Sequence, residues 1–152
     1  MVLMVVCEFP ECTTFGAVIR FALELEKGAA GVYEELAKNP KAASAADTFM
    51  ALAAAHTKRG DLLVHTRQQK LNEMMLEPIQ DIKRESYLID TNLPAGVDVK
   101  TGAKFAAKIE ETSARFYADS ARVAKSLLHE AARVMEKLGK ENVANKAKLE
   151  AL

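Results

Sequence analysis

Apolar residues recur along most of this chain with the spacing of an α-helix, and four such stretches can be marked out. The first begins after Thr13 and Thr14, either of which can cap it, and opens at Val18. Phe21, Leu25, Val32 and Leu36 continue one stripe, and the helix is predicted to end at Lys38. Asn39-Pro40 then supplies a capping side chain followed by a proline suited to a first helical turn. The second helix is predicted from Lys41 to Met75, with Phe49, Leu52, Ala53, His56, Gly60 and Leu63 on one face, and Pro78 stops it. Between Pro78 and Thr101 the periodicity is lost, and Pro78, Pro94 and Gly96 mark a connection longer than an ordinary turn. It is expected to be a crossover with a short helical turn around Asp81–Leu88. Asp98 or Thr101 caps a third helix, predicted over Gly102–Lys125, that carries Phe105, Ile109, Phe116 and Val123. The fourth, over Leu128–Leu149, carries Leu128, Met135, Leu138 and Leu149. A turn near Ser126–His129 is required, because one unbroken helix from Gly102 to Leu152 would be ~75 Å long, too long for a domain of this size.

An internal repeat supports that division. Phe21-Ala22, Glu26, Tyr33 and Ala37 recur 84 residues later as Phe105-Ala106, Glu110, Tyr117 and Ala121. Phe49 and Leu52 correspond to Met135 and Leu138 at an offset of 86. One helical hairpin has been duplicated, and the crossover joins the copies. The expected fold is all-α: an antiparallel four-helix bundle with one long crossover, a single domain over residues 1–152 with an N-terminal arm at 1–13 and the crossover at 78–101.

Composition agrees with a helical bundle, being rich in Ala, Leu, Glu and Lys, with seven Gly and four Pro. Basic and acidic residues balance at 21 each, so no electrostatic footprint for nucleic acid or an anionic membrane stands out. The opening Met1–Val6 run lacks a basic flank and is too short for a signal peptide, and no stretch reaches the ~20 apolar residues of a membrane span. A cytoplasmic location is expected. Cys7 and Cys12 are spaced too widely for a Cys-x-x-Cys pair and are expected to be reduced thiols on the arm, with a local disulfide or a redox sensor as the alternative.

The repeated pattern of Glu followed seven residues later by Tyr, Glu26…Tyr33 and Glu110…Tyr117, resembles the rubrerythrin family of ferritin-like proteins from about Phe21 to Leu149. No rubredoxin-like module accompanies it, since two Cys-x-x-Cys pairs are absent. The resemblance implies a ferritin-like bundle with Glu26 and Glu110 at metal-carboxylate positions and Tyr33 and Tyr117 supporting them. A di-iron centre of that kind also needs a Glu-x-x-His from each of the other two helices. Here His56 and Arg59 stand at those two positions in the second helix, and Asn142 and Asn145 in the fourth. Arg cannot ligate a cation and Asn is a neutral, weak ligand. Two carboxylates would leave most of the six positive charges of two Fe(III) ions uncompensated. The di-iron site is therefore degenerate, and the family's oxidoreductase or peroxidase activity is not expected.

Each residue also has a purely structural reading. Glu26 beside Lys27 could be solvated, His56 could be a hydrogen-bonded core histidine, the tyrosines could be packing aromatics, and Asn142 and Asn145 could face solvent. Met74 and Met75 are most simply core filler, His65 lies half a helical turn away from His56, and His129 falls near the predicted turn. Three functions compete. The first is a structural or interaction protein without a cofactor, assembling as a homodimer. The second is a protein binding one Fe, Zn or Mn ion through Glu26, His56 and Glu110, with residual redox activity. The third is a binder of a small apolar or anionic ligand in the space the metals would have filled. Val18, Met50, Val64 and Leu71 lie beside the main core stripes and are expected to form the dimer face. In the absence of metal, Arg59 is expected to substitute for it through a buried ion pair with Glu26, Glu110 or both, with His56 and Asn142 filling the remaining lone pairs.

Overall fold

The computed structural model describes residues 14–69, 79, 82–125 and 129–152. They form four α-helices: α1 (Phe15–Lys38), α2 (Ala46–Gln69), α3 (Val99–Ala124) and α4 (His129–Glu150). No β-sheet occurs among them. Thr14 caps α1, its hydroxyl accepting from the Ala17 N–H at 3.2 Å. Asn39 serves both sides of the next corner. Its carbonyl oxygen accepts from the Lys41 N–H at 3.0 Å, while its amide donates to the Val97 carbonyl at 3.1 Å.

The predicted second helix does not begin at Lys41. Pro40–Ala45 is a tighter 3-10 turn, with Ala42 out of helical geometry (φ −112°, ψ 17°), and α2 starts only at Ala46. α3 starts earlier than Gly102, because Asp98 rather than Thr101 is the cap and accepts from the Thr101 N–H at 2.8 Å. α3 ends at Ala124 and α4 begins at His129, on either side of the predicted turn. The expected extension of the second helix to Met75, the dimer-face residue Leu71, Met74, Leu128 and both cysteines lie outside the described residues.

Helices pack in antiparallel pairs, α1 with α2 and α3 with α4. Tyr33 stacks near Phe49 and Glu26 lies opposite His56, while Gly139 approaches Tyr117 and Asn142 lies opposite Glu110. Residues 82–98 run back along α1. Arg84 pairs with Glu24, Ile89 and Thr91 lie over Gly28, and Val97 meets Asn39. A single 3-10 turn, Arg84–Tyr87, falls within the stretch expected to hold one.

The core divides into two apolar clusters. Phe15, Ile19, Phe21, Phe116, Met135 and Leu138 fill one end; Val32, Leu36, Phe49, Leu52, Ile109 and Leu149 fill the other. Glu26, His56, Glu110 and Asn142 lie at the level where the two meet, so a polar layer crosses the middle of the bundle. Phe105 and Val123, expected on the core stripe, are only half-buried, because the outer wall of α3 is left partly open. Val18, expected on a side face, is fully buried in this chain's own core and cannot serve an interface.

Two glycines test the packing from opposite directions. A Cβ on Gly102 would lie 2.5 Å from Cδ2 of Leu36, a side chain with no exposed surface into which to retreat. At Gly31 a Cβ would meet nothing within 4 Å. Gly31→Ala should therefore stabilise by about 0.5–1 kcal/mol through helix propensity. Gly102→Ala should be destabilising, because an overpacking cost of about 1–3 kcal/mol exceeds that gain. Urea unfolding of both variants checks the contrast; equal effects would show that the α1–α3 approach is looser than this.

Candidate functional site

The polar layer draws side chains from all four helices. On α1 and α3, Glu26 and Glu110 occupy core positions between apolar neighbours, fully buried. On α2, the i, i+3 spacing of His56 and Arg59 sends both side chains to the same face, one turn apart. On α4, Asn142 and Asn145 do the same, and both are buried rather than solvent-facing.

His56 stands between the two carboxylates. Its Nδ1 lies 2.6 Å from Glu26 Oε1 and its Nε2 lies 2.7 Å from Glu110 Oε2. A ring with both nitrogens against carboxylates must donate from both, which requires the imidazolium. Burial opposes that charge, but the bonds to Glu110 and Glu26 outweigh it and push the His56 pKa up to about 9.

Of the two buried carboxylates, Arg59 pairs with Glu26. Nε donates to Glu26 Oε1 at 3.0 Å and one terminal nitrogen to Oε2 at 2.9 Å, a two-point fork. That same nitrogen donates to Asn142 Oδ1 at 2.8 Å, and the other donates to the Leu138 carbonyl at 3.1 Å and reaches Glu141 at 3.4 Å. Of the two carboxylates expected as partners for Arg59, Glu26 is the one that forms the buried ion pair, and Glu110 is left to other donors. His56 bridges the two glutamates, because its ring lies between the two carboxylates while the guanidinium is taken up by α4. Leu138 and Glu141 were not foreseen; a backbone carbonyl and a partly exposed acid carry no sequence signal for such a role.

The tyrosines cross between the hairpins. Tyr33 of α1 donates to Glu110 Oε2 at 2.5 Å, and Tyr117 of α3 donates to Glu26 Oε2 at 2.5 Å. Burial and the neighbouring carboxylates both hold these phenols well above their ordinary range, so they remain donors. Asn142 and Asn145 donate to Glu110 Oε1 at 2.6 and 3.4 Å. Burial pushes both glutamates up, but the bonds from His56 and, for Glu26, the charge of Arg59 leave each below the usual carboxylate value.

Every carboxylate oxygen therefore accepts two hydrogen bonds. Two carboxylates face one guanidinium and one imidazolium, so the layer is electrically neutral. This donor set does not fit a metal centre. The glutamate oxygens are saturated by N–H and O–H groups, and His56 has no free lone pair to offer. No group of three or more His, Cys, Asp or Glu among the described residues is arranged to hold a metal ion. The Arg59 and His56 side chains lie in the region expected for a small ligand. His65 and His129 are exposed and take no part.

Similarity to known proteins reaches the fold. A solved structure of a hypothetical protein from Pyrococcus furiosus superposes with a TM-score of 0.68, at 22% sequence identity, over 88% of this chain and 84% of that one. Such a likeness establishes a shared four-helix architecture. No protein-family model matches the chain, and no curated protein matches it.

Proposed function

We propose that this chain is a rubrerythrin-like, ferritin-like bundle in which an organic ion cluster has taken the place of the di-iron centre. It acts as a structural or interaction protein, without the oxidoreductase activity of that family. The carrying observation is the double hydrogen bonding of all four glutamate oxygens by groups that are not metals. The 84-residue repeat with Glu26 and Glu110 at equivalent places supports the ancestry, and Arg59, Asn142 and Asn145 support the loss. Elemental analysis of protein purified without chelator should find Fe, Zn and Mn far below one ion per chain. The combined variant His56→Glu, Arg59→His, Asn142→Glu, Asn145→His restores the missing ligand types and should gain stoichiometric metal. One ion per chain in the wild type, lost in Glu110→Gln, would establish instead the single-metal reading through Glu26, His56 and Glu110.

Assembly as a homodimer in the cytoplasm belongs to the same proposal. No helix among the described residues is long and apolar enough to cross a membrane. Of the anticipated face, Met50 (55% exposed) and Val64 (39%) remain available on the outer side of α2.

A further inference from the structure

Apart from the polar layer, the described residues form a concave surface of size. A trough of about 1100 Å³ lies over α3, between residues 88–90 of the crossover and the last turns of α4. Its apolar lining includes Phe105, the half-buried aromatic of α3, above the fully buried Ile109 and Leu149 of the core. Leu88 and Leu152 line it as well, and they are 55% and 38% exposed, two of the large apolar side chains that the described fold leaves uncovered.

Basic side chains predominate along its α3 edge. Lys146 lies 3.4 Å from Glu111 and 3.8 Å from Glu150, so these three occupy one another on the α4 side. Lys100, Lys104 and Lys108 follow at intervals of four, a row on one face of α3, and none forms an ion pair with an acid among the described residues. Asp90, the other acid of the lining, accepts from the Asn92 N–H at 2.9 Å. An apolar floor beside an unneutralised row of ammonium groups is complementary to a molecule with an apolar body and an anionic end. Lysine stems also extend apolar cover while their heads stay in water.

Size favours a small amphiphile over a protein partner. The volume is close to the upper range of small-molecule sites, roughly 300–1,000 Å³. The helical stretch from Lys100 to Thr112 is about 18 Å long, room for an extended acyl chain. We propose that this trough binds a free long-chain fatty acid, its tail on Leu88, Phe105 and Leu152 and its carboxylate among Lys100, Lys104 and Lys108. This site is separate from the polar layer and does not depend on how that layer is interpreted.

Calorimetric titration of the full chain with laurate below its micelle concentration, alongside dodecyltrimethylammonium, tests the proposal. Laurate should saturate at one per chain, with at least tenfold higher affinity than the cationic amphiphile of equal tail. Lys104→Glu/Lys108→Glu changes two exposed positions and should reverse that preference while circular dichroism and melting stay those of the wild type. Amide shifts on laurate addition should map to residues 88–90, 100–112 and 146–152. Equal affinity for both amphiphiles, shifts elsewhere, or no saturation would overturn the proposal. So would binding to anionic vesicles, or to an acidic amphipathic peptide, that laurate does not displace.

Discussion

Arg59→Leu should destabilise the fold by about 3–5 kcal/mol, because it leaves the Glu26 carboxylate buried with its paired cation removed. The guanidinium makes two bonds to Glu26 and one to Asn142 and caps the Leu138 carbonyl, so a single substitution breaks links from α2 to both α1 and α4. It also raises the charge of the layer from zero to one negative. Arg59→Lys should recover only part of the loss, since an ammonium lacks the planar fork that meets both Glu26 oxygens. Glu26→Gln/Arg59→Leu should cost less than the sum of its single changes, because the buried charge and its partner disappear together. Urea unfolding of the wild type, the three single variants and the double variant gives the comparison. A loss below about 1 kcal/mol for Arg59→Leu would mean that water reaches Glu26 and that the layer is not the closed, dry network described.

How much of this layer was legible depends on which property of each residue is asked for. Helical period and the 84-residue repeat place Glu26 and Glu110 inward, and i, i+3 spacing puts His56 with Arg59 and Asn142 with Asn145. The pairing within the layer is another matter. Glu26 and Tyr33 are seven residues apart, about 10 Å along one helix, so a tyrosine cannot reach the glutamate of its own motif. Only the antiparallel packing of the two hairpins makes each tyrosine serve the other copy's carboxylate. The choice between His56 and Arg59 as bridge was not legible either. It turns on the position of a rigid ring relative to two carboxylates, and on α4 backbone and side-chain acceptors that capture the flexible arginine. Boundaries failed where local chemistry had two solutions, as at Asp98 and Thr101, or where a proline favoured a 3-10 turn over an α-helical start at Pro40.

Stability should fall steeply as pH rises from 6.5 through about 9, and the fall should trace to His56. In the unfolded chain this imidazole titrates near 6.5; in the fold its bonds to Glu110 and Glu26 hold the proton to about 9. Below 6.5 both states are protonated and the full contribution is present. Above 9 the folded ring has lost a proton, one of its two bonds loses its donor, and the contribution is gone. A difference between 6.5 and 9 corresponds to about 3 kcal/mol. The surrounding groups reinforce the direction: Arg59 stays charged, and Tyr33 and Tyr117, held above their ordinary range, disfavour the folded state further once the unfolded phenols ionise near 10. On the acid side the sign reverses. Glu26 and Glu110 sit below their ordinary 4.5, so their contribution is full above that value and is lost as pH falls through their folded values. The layer therefore contributes most between about pH 4.5 and 6.5. His56→Gln keeps a neutral hydrogen-bonding side chain there and should lower stability at pH 6 while flattening the alkaline limb. Guanidinium or urea melts at half-unit steps from pH 5 to 10 give both curves. A wild-type profile that is level from pH 6.5 to 9, or a His56→Gln profile that falls in parallel with it, would show that the ring between the two carboxylates is neutral, and the layer would then carry a net negative charge.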